Sequence, residues 1–213
     1  MATADIWPTV RAERQALAAD LAGLSDERWD ARSLCEAWTV RDALAHMTGT
    51  AKISPGSFFP KLISSGFSFD RLQAKDIAAE RGATPADTLR RFEAIIPSTK
   101  HPPGPGLTMM AETLIHSEDI RRPLQITHAY PTEWLSQVAD FYKGSNLIVG
   151  TKRRIAGLSL RATDTEWSHG SGPEVSGPLL SLLLAMTGRQ AGLVDLQGPG
   201  VDILRGRQPG PAR

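Results

Sequence analysis

Cysteine is nearly absent from this chain, Cys35 being the single one in 213 residues. One thiol excludes an internal disulfide and any cysteine-rich zinc site, and it fits a reducing cytosol. An excess of one charge is lacking too. Lys and Arg total 24 against 23 for Asp and Glu, with no basic block. Bulk electrostatics therefore offers no hold on nucleic acid or an anionic membrane. Long apolar runs are also missing: the longest, LLSLLLAM at 179–186, is far too short to span a bilayer. The opening stretch MATADIWPTVRAERQALAADL has no apolar core bounded by a cleavage site, so it does not read as a signal peptide. The expectation is a soluble, cytoplasmic protein with neither a nucleic-acid nor a membrane partner.

What is present is mostly helical pattern, in a chain long enough to bury a substantial core. Ile6, Val10, Leu17 and Leu21 recur at helical spacing. Thr39 reads as an N-cap, with Asp42 closing a capping box for a helix that runs on from Val40. A further helix covers FDRLQAKDIAAE. At ATPADTLRRFEAII, Thr84 caps, Pro85 takes the first helical position and Asp87 closes a second box. PSTKHPPGPG at 97–106 is too rich in proline and glycine for regular structure and reads as a loop between helices. A helix over 132–148 would place Trp134, Leu135, Val138, Phe141 and Tyr142 on one face.

The periodicity changes after Gly150. Leu158, Leu160 and Ala162 alternate with Ser159, Arg161 and Thr163, as in a strand. SHGSGPE reads as turn, VSG as a short strand, GPLLSLLLAMTGR as an apolar helix ended by Gly188, and VDILRG as one more short element. The fold class is mostly α: a helical bundle over 1–150, a small α+β domain over 151–207, and a disordered tail over 208–213.

The stretch TMMAETLIHSEDIRRPL at 108–124 carries the chemistry. At 100° per residue, Glu118, Arg121 and Arg122 fall on one stripe, with Glu112, His116, Asp119 and Ile120 opposite. The charged stripe is expected to face solvent. That turns Glu112 and His116 inward, where an unpaired carboxylate is costly. On the preceding cap-defined helix, His46 flanks the apolar side marked by Val40, Leu44 and Met47. Two histidines and a glutamate from two helices would make the three-ligand set that leaves a catalytic zinc an open position. Asp42, one turn before His46, and Asp119, one turn after His116, could orient the ligands. The plain alternative is that each is a satisfied core residue, since a Glu-x-x-x-His pair on a helix is common by itself. His101, His128 and His169 sit in loop, turn and glycine contexts and are expected at the surface. Cys35 reads as a small buried apolar residue, with no paired base near it in sequence.

LCEAWTVRDALAHM resembles the cysteine–tryptophan–valine–aspartate–histidine segment of the mycothiol-dependent maleylpyruvate isomerase family, which belongs to the DinB-like metal-binding helical bundles. AETLIHSEDIRRPL is similar to that family's second signature, and LRATDTEWSHGSGPEVSGPLLSLLLAMTGR resembles its smaller C-terminal domain. The resemblance implies a DinB-like four-helix-type bundle followed by a small α+β C-terminal domain. It implies Zn2+, or another divalent metal, on His46, Glu112 and His116. It further implies an external low-molecular-weight thiol, mycothiol in actinobacteria, that acts as nucleophile on a small electrophilic substrate. The enzyme would be an isomerase or an S-transferase. An arginine of the C-terminal domain is expected to assist an anionic substrate, with Arg189 as the catalytic candidate and Arg205 as the other. Arg189, just after Gly188, could instead cap the helix C-terminus. Two alternatives stand beside this reading: a non-catalytic structural or sensory metal protein, and a metal-dependent hydrolase with water as nucleophile on the same ligands.

Overall fold

The computed structural model describes residues 5–35, 37–146 and 149–209. In chain order the helices and strands are α1 Trp7–Leu21, α2 Asp26–Trp29, α3 Val40–Thr50, α4 Pro55–Ser64, α5 Phe69–Glu80, α6 Pro85–Glu93, α7 Leu107–Arg121, α8 Thr132–Lys143, α9 Thr151–Arg154, β1 Ser159–Ala162, β2 Ser168–Gly170, β3 Glu174–Gly177, α10 Leu179–Met186 and α11 Val201–Gly206. A 3-10 helix, Gln190–Asp195, lies between the last two. No described helix is long and apolar enough to cross a membrane.

The chain divides into two compact units, Met1–His128 and Ala129–Arg213. Helix α8 groups with the second unit because it packs on α10. The change of periodicity at Gly150 therefore marks where strand sequence begins, whereas the compact unit already begins ahead of α8. The helix expected to reach 148 ends at Lys143, and residues 147–148 lie outside the described residues. The tail expected to be disordered over 208–213 lies outside them from 210 onward.

In the first unit, helices begin where local hydrogen bonding dictates. The Thr39 side chain accepts from Asp42 N, the Asp42 carboxylate accepts from Thr39 N, and α3 starts at the next residue. The Thr84–Asp87 box with Pro85 does the same for α6, and a Ser54–Ser57 box opens α4. Apolar spacing did not mark α4, because Phe59 and Ile63 on it are exposed and give no core face. Helices α1, α7, α3 and α6 close a ring in which each packs on the next, with α5 laid against α3. Leu17, Leu21, Leu44, Met47, Phe92, Met110 and Leu114 fill the interior and are essentially inaccessible to solvent.

Helix α7 is packed by both α1 and α3, and this corrects the expectation of a solvent-facing charged stripe. Glu118 is 4% exposed and Arg121 0%. Arg121 Nε donates to Asp20 Oδ2 of α1 at 2.7 Å, and Arg122 Nε donates to Glu118 Oε2 at 3.2 Å. Burial of these charges is tolerable because they are paired. The amphipathic rule fails here because a central helix has no solvent face to assign. His101, His128 and His169, expected at the surface, are half-buried. His101 stacks on Trp7, and His128 Nε2 lies 2.8 Å from the buried carboxylate of Glu13.

The second unit carries a three-stranded sheet in the order β2-β1-β3, with β1 antiparallel to β2 and parallel to β3. Leu160 sits opposite His169 on one side and Val175 on the other. The run SHGSGPE, expected as turn, supplies β2. Three residues are too few to show alternation, and the glycines masked the strand. Gly170 is required there: its φ is +82°, and a Cβ would lie 2.3 Å from the Leu158 carbonyl oxygen. Helix α10 is apolar on every side, with Leu182, Leu183 and Leu184 all buried. It packs on β1, β3, α8 and the 3-10 helix, which leaves it no solvent face.

Candidate metal centre

The packing of α3 on α7 brings His46 and His116 together, with ring centroids 4.9 Å apart and planes at 76°. Trp38, just before the Thr39 cap, lies 4.7 Å from the His46 ring and 5.9 Å from the His116 ring. The cap fixes where α3 begins, and so fixes the phase of His46 relative to Trp38.

Glu112 stands one turn before His116 on α7. Both of its carboxylate oxygens are shut off from solvent, and neither has a hydrogen-bond partner among the described residues. Burial pushes its pKa up to about 7, which the nearby His116 and Arg14 charges offset only in part. Arg14 is itself buried, and its guanidinium donates to the Ile95 and Ser98 carbonyls.

His116 is held differently. Its Nδ1 lies 2.8 Å from Oδ2 of Asp119, a fully buried carboxylate. Burial acts to lower the His116 pKa, but the hydrogen bonds and charges of Asp119 and Cys35 outweigh it and push it up to about 10. With Nδ1 engaged by a carboxylate, Nε2 is the nitrogen left to meet a metal.

Cys35 is the residue that sequence reasoning missed. It is half-buried, donates Sγ–H to Asp119 Oδ2 at 3.1 Å, and has Sγ 4.0 Å from His116 Nδ1. Nothing in the spacing pointed to it, since 81 positions separate it from His116. Its loop is pinned to α7 by a bond from Leu34 N to the Asp119 carbonyl at 3.0 Å. Among the described residues, the tight group of metal-competent atoms is Cys35, His116 and Asp119, all within 4.8 Å of one another.

The two candidate ligand sets differ in how far the protein already satisfies them. In the Cys35–His116–Asp119 group the polar atoms bond to each other. Glu112, one turn from His116 and within reach of its charge, is bonded to nothing described. A buried, unpartnered carboxylate costs several kcal/mol unless a cation or proton meets it. The nitrogen and oxygen donors of His46, Glu112 and His116 are of the types that hold divalent zinc. The donor types of this set therefore suit zinc, while the group gathered within 4.8 Å among the described residues is Cys35, His116 and Asp119.

The remaining expected residues are placed as follows. Asp42 accepts from both the backbone and the hydroxyl of Thr39, and its other oxygen lies 3.2 Å from Arg81. Its carboxylate is thus committed to the α3 cap and to Arg81. Arg189 lies in the second unit, after Gly188 with φ +96°. There Arg189 N donates to the Leu184 carbonyl at 2.8 Å, and its guanidinium donates to the Thr187 carbonyl at 3.0 Å. This is helix C-cap geometry. Arg205 pairs with Asp202 on α11.

No curated protein gives a significant match to the chain. Two crystal structures share its fold: a histidine-to-alanine mutant of the mycothiol-dependent maleylpyruvate isomerase, with a TM-score of 0.63, and the mycothiol-dependent maleylpyruvate isomerase, with 0.62. Each is 16% identical, and each comparison covers 97% of this chain and 95% of the other. At that identity the likeness is one of fold, a mostly helical chain with a small sheet. Residues 10–104 match the mycothiol maleylpyruvate isomerase N-terminal domain, a span that includes Cys35 and His46 and stops just before α7. Over residues 10–104, which lie within its first unit, the chain is similar to the mycothiol maleylpyruvate isomerase N-terminal domain.

Proposed function

We propose that this protein is a metal-dependent enzyme that uses mycothiol as nucleophile on a small electrophilic substrate, with zinc on His46, Glu112 and His116. The observation that carries the reading is the Glu112 carboxylate, buried and without a described partner, one turn from His116. A divalent ion bound there would hold a thiol as thiolate at neutral pH. The chain's own residues prepare the place. Asp119 orients the His116 ring through Nδ1, and Trp38 packs against the two imidazoles. Arg14 supplies positive charge toward Glu112. We assign the nucleophile to the external thiol and give Cys35, whose Sγ–H donates to Asp119 Oδ2, a place in the hydrogen-bonded group around His116.

Isomerisation is favoured over S-transfer because the two structures that share the fold are mycothiol-dependent maleylpyruvate isomerases. The contacts of Arg189 support the capping role, and we assign it no catalytic step. X-ray absorption at the zinc edge tests the proposal directly. Added mycothiol should introduce sulfur scattering around the metal, and maleylpyruvate should then turn over in a thiol-dependent way. A metal-loaded protein whose edge spectrum ignores mycothiol would end the thiol reading and favour water as nucleophile.

Cys35→Ser gives a second check. A serine hydroxyl can still donate to Asp119 Oδ2, so the hydrogen-bonded group persists at a stability cost under about 1 kcal/mol. Turnover of the same order as the parent is expected. A folded, metal-loaded but inactive Cys35→Ser protein would place the nucleophile inside the chain.

A further inference from the structure

The second unit contains a pocket of about 340 Å³ lined by Gly150, Arg153, Arg154 and Arg207. Three arginines line it, and no carboxylate is among the lining residues. Like charges gathered this way repel one another, and partial burial strengthens the repulsion. Arg154 shows the effect: burial, then the neighbouring charges of Arg189 and Arg153, lower its pKa. Its Nε is buried and has no hydrogen-bond partner among the described residues.

A purely structural account covers only part of this arrangement. One nitrogen of Arg154 donates to the Val149 carbonyl at 2.9 Å and the Met186 carbonyl at 2.6 Å. One nitrogen of Arg207 donates to the Arg154 carbonyl at 2.9 Å and the Ala156 carbonyl at 2.7 Å. These bonds hold both side chains in place while leaving donors of each fork uncommitted. The Arg153 side chain ties no backbone among the described residues, so the structural account gives it no work at all. Donors fixed in advance, positively charged and short of acceptors are what a bound oxyanion needs. A tetrahedral dianion suits the site better than a carboxylate, because its oxygens accept from several directions rather than in one plane.

We propose that Arg153, Arg154 and Arg207 form a binding site for a phosphate group, carried by inorganic phosphate or by a small phosphate ester. The site lies wholly in the second unit and does not depend on the metal centre.

Isothermal titration of the full-length, metal-loaded protein with inorganic phosphate and, separately, with glycerol phosphate tests this, with sodium chloride matched for ionic strength as the blank. Saturable binding above the chloride blank is expected. The tighter of the two probes identifies the form of phosphate the site takes. Arg153→Ala, which breaks no backbone tie, should weaken binding roughly ten-fold, as loss of a charged hydrogen bond does. Arg207→Gln should weaken it similarly. Arg161→Ala, which removes an equal charge on β1 outside the pocket, should leave affinity unchanged. The proposal is overturned if neither probe binds above the blank, or if Arg153→Ala and Arg161→Ala bind as the parent does.

Discussion

His46→Ala and His116→Ala proteins are each expected to purify without metal, while the parent carries about one divalent ion per chain. With either imidazole gone, two protein ligands remain, too few to hold zinc against water and buffer. Metal content by plasma mass spectrometry, with folding checked by circular dichroism, makes the comparison. The pair also separates the two ligand sets, because His46 is outside the Cys35–His116–Asp119 group. Loss of metal in both variants supports His46, Glu112 and His116. Metal kept in His46→Ala but lost in His116→Ala would move the ion to Cys35, His116 and Asp119. Full occupancy in both would end either assignment.

The second large effect is on stability against pH in protein stripped of metal. Burial raises the Glu112 pKa to about 7 from 4.5. Between those values the folded state holds a proton that the unfolded state has released, so stability falls as pH rises. At and above neutrality the cost is roughly 3 kcal/mol, from about 1.4 kcal/mol per unit of pKa difference. His116, raised to about 10 from 6.5, acts with the same sign. Its contribution is fully present below its unfolded value and is lost as pH climbs through its folded one. The melting temperature of the metal-free protein should therefore drop steadily from pH 5 to pH 9. Glu112→Gln should flatten the lower half of that decline, since it removes the buried ionisation while keeping the shape. Metal reverses the trend, because its ligands must be deprotonated and its binding strengthens as pH rises. A metal-free protein that grows more stable between pH 5 and pH 7 would mean that Glu112 ionises normally against a cation of the protein.

The sequence by itself determined what is local. Side chains of Thr39 and Asp42, and of Thr84 and Asp87, find their partners three residues away, so the starts of α3 and α6 were legible. The same holds for the alternation of β1 and for Gly188 at the end of α10. The fold class was readable from these elements, and the Glu112–His116 pair from helical spacing alone. Only the tertiary structure decided the rest. The enclosure of α7 by two neighbours buried Glu118 and Arg121 and removed the solvent face that an isolated helix would have. The placement of Cys35 on Asp119, 84 positions away, depends on how a loop docks against α7. In the arginine pocket, packing likewise brings Arg207 to the adjacent pair Arg153 and Arg154, 53 positions before it in the case of Arg154. Periodicity and capping report interactions within a few turns of chain, whereas who shares a buried carboxylate is settled by packing across the whole unit.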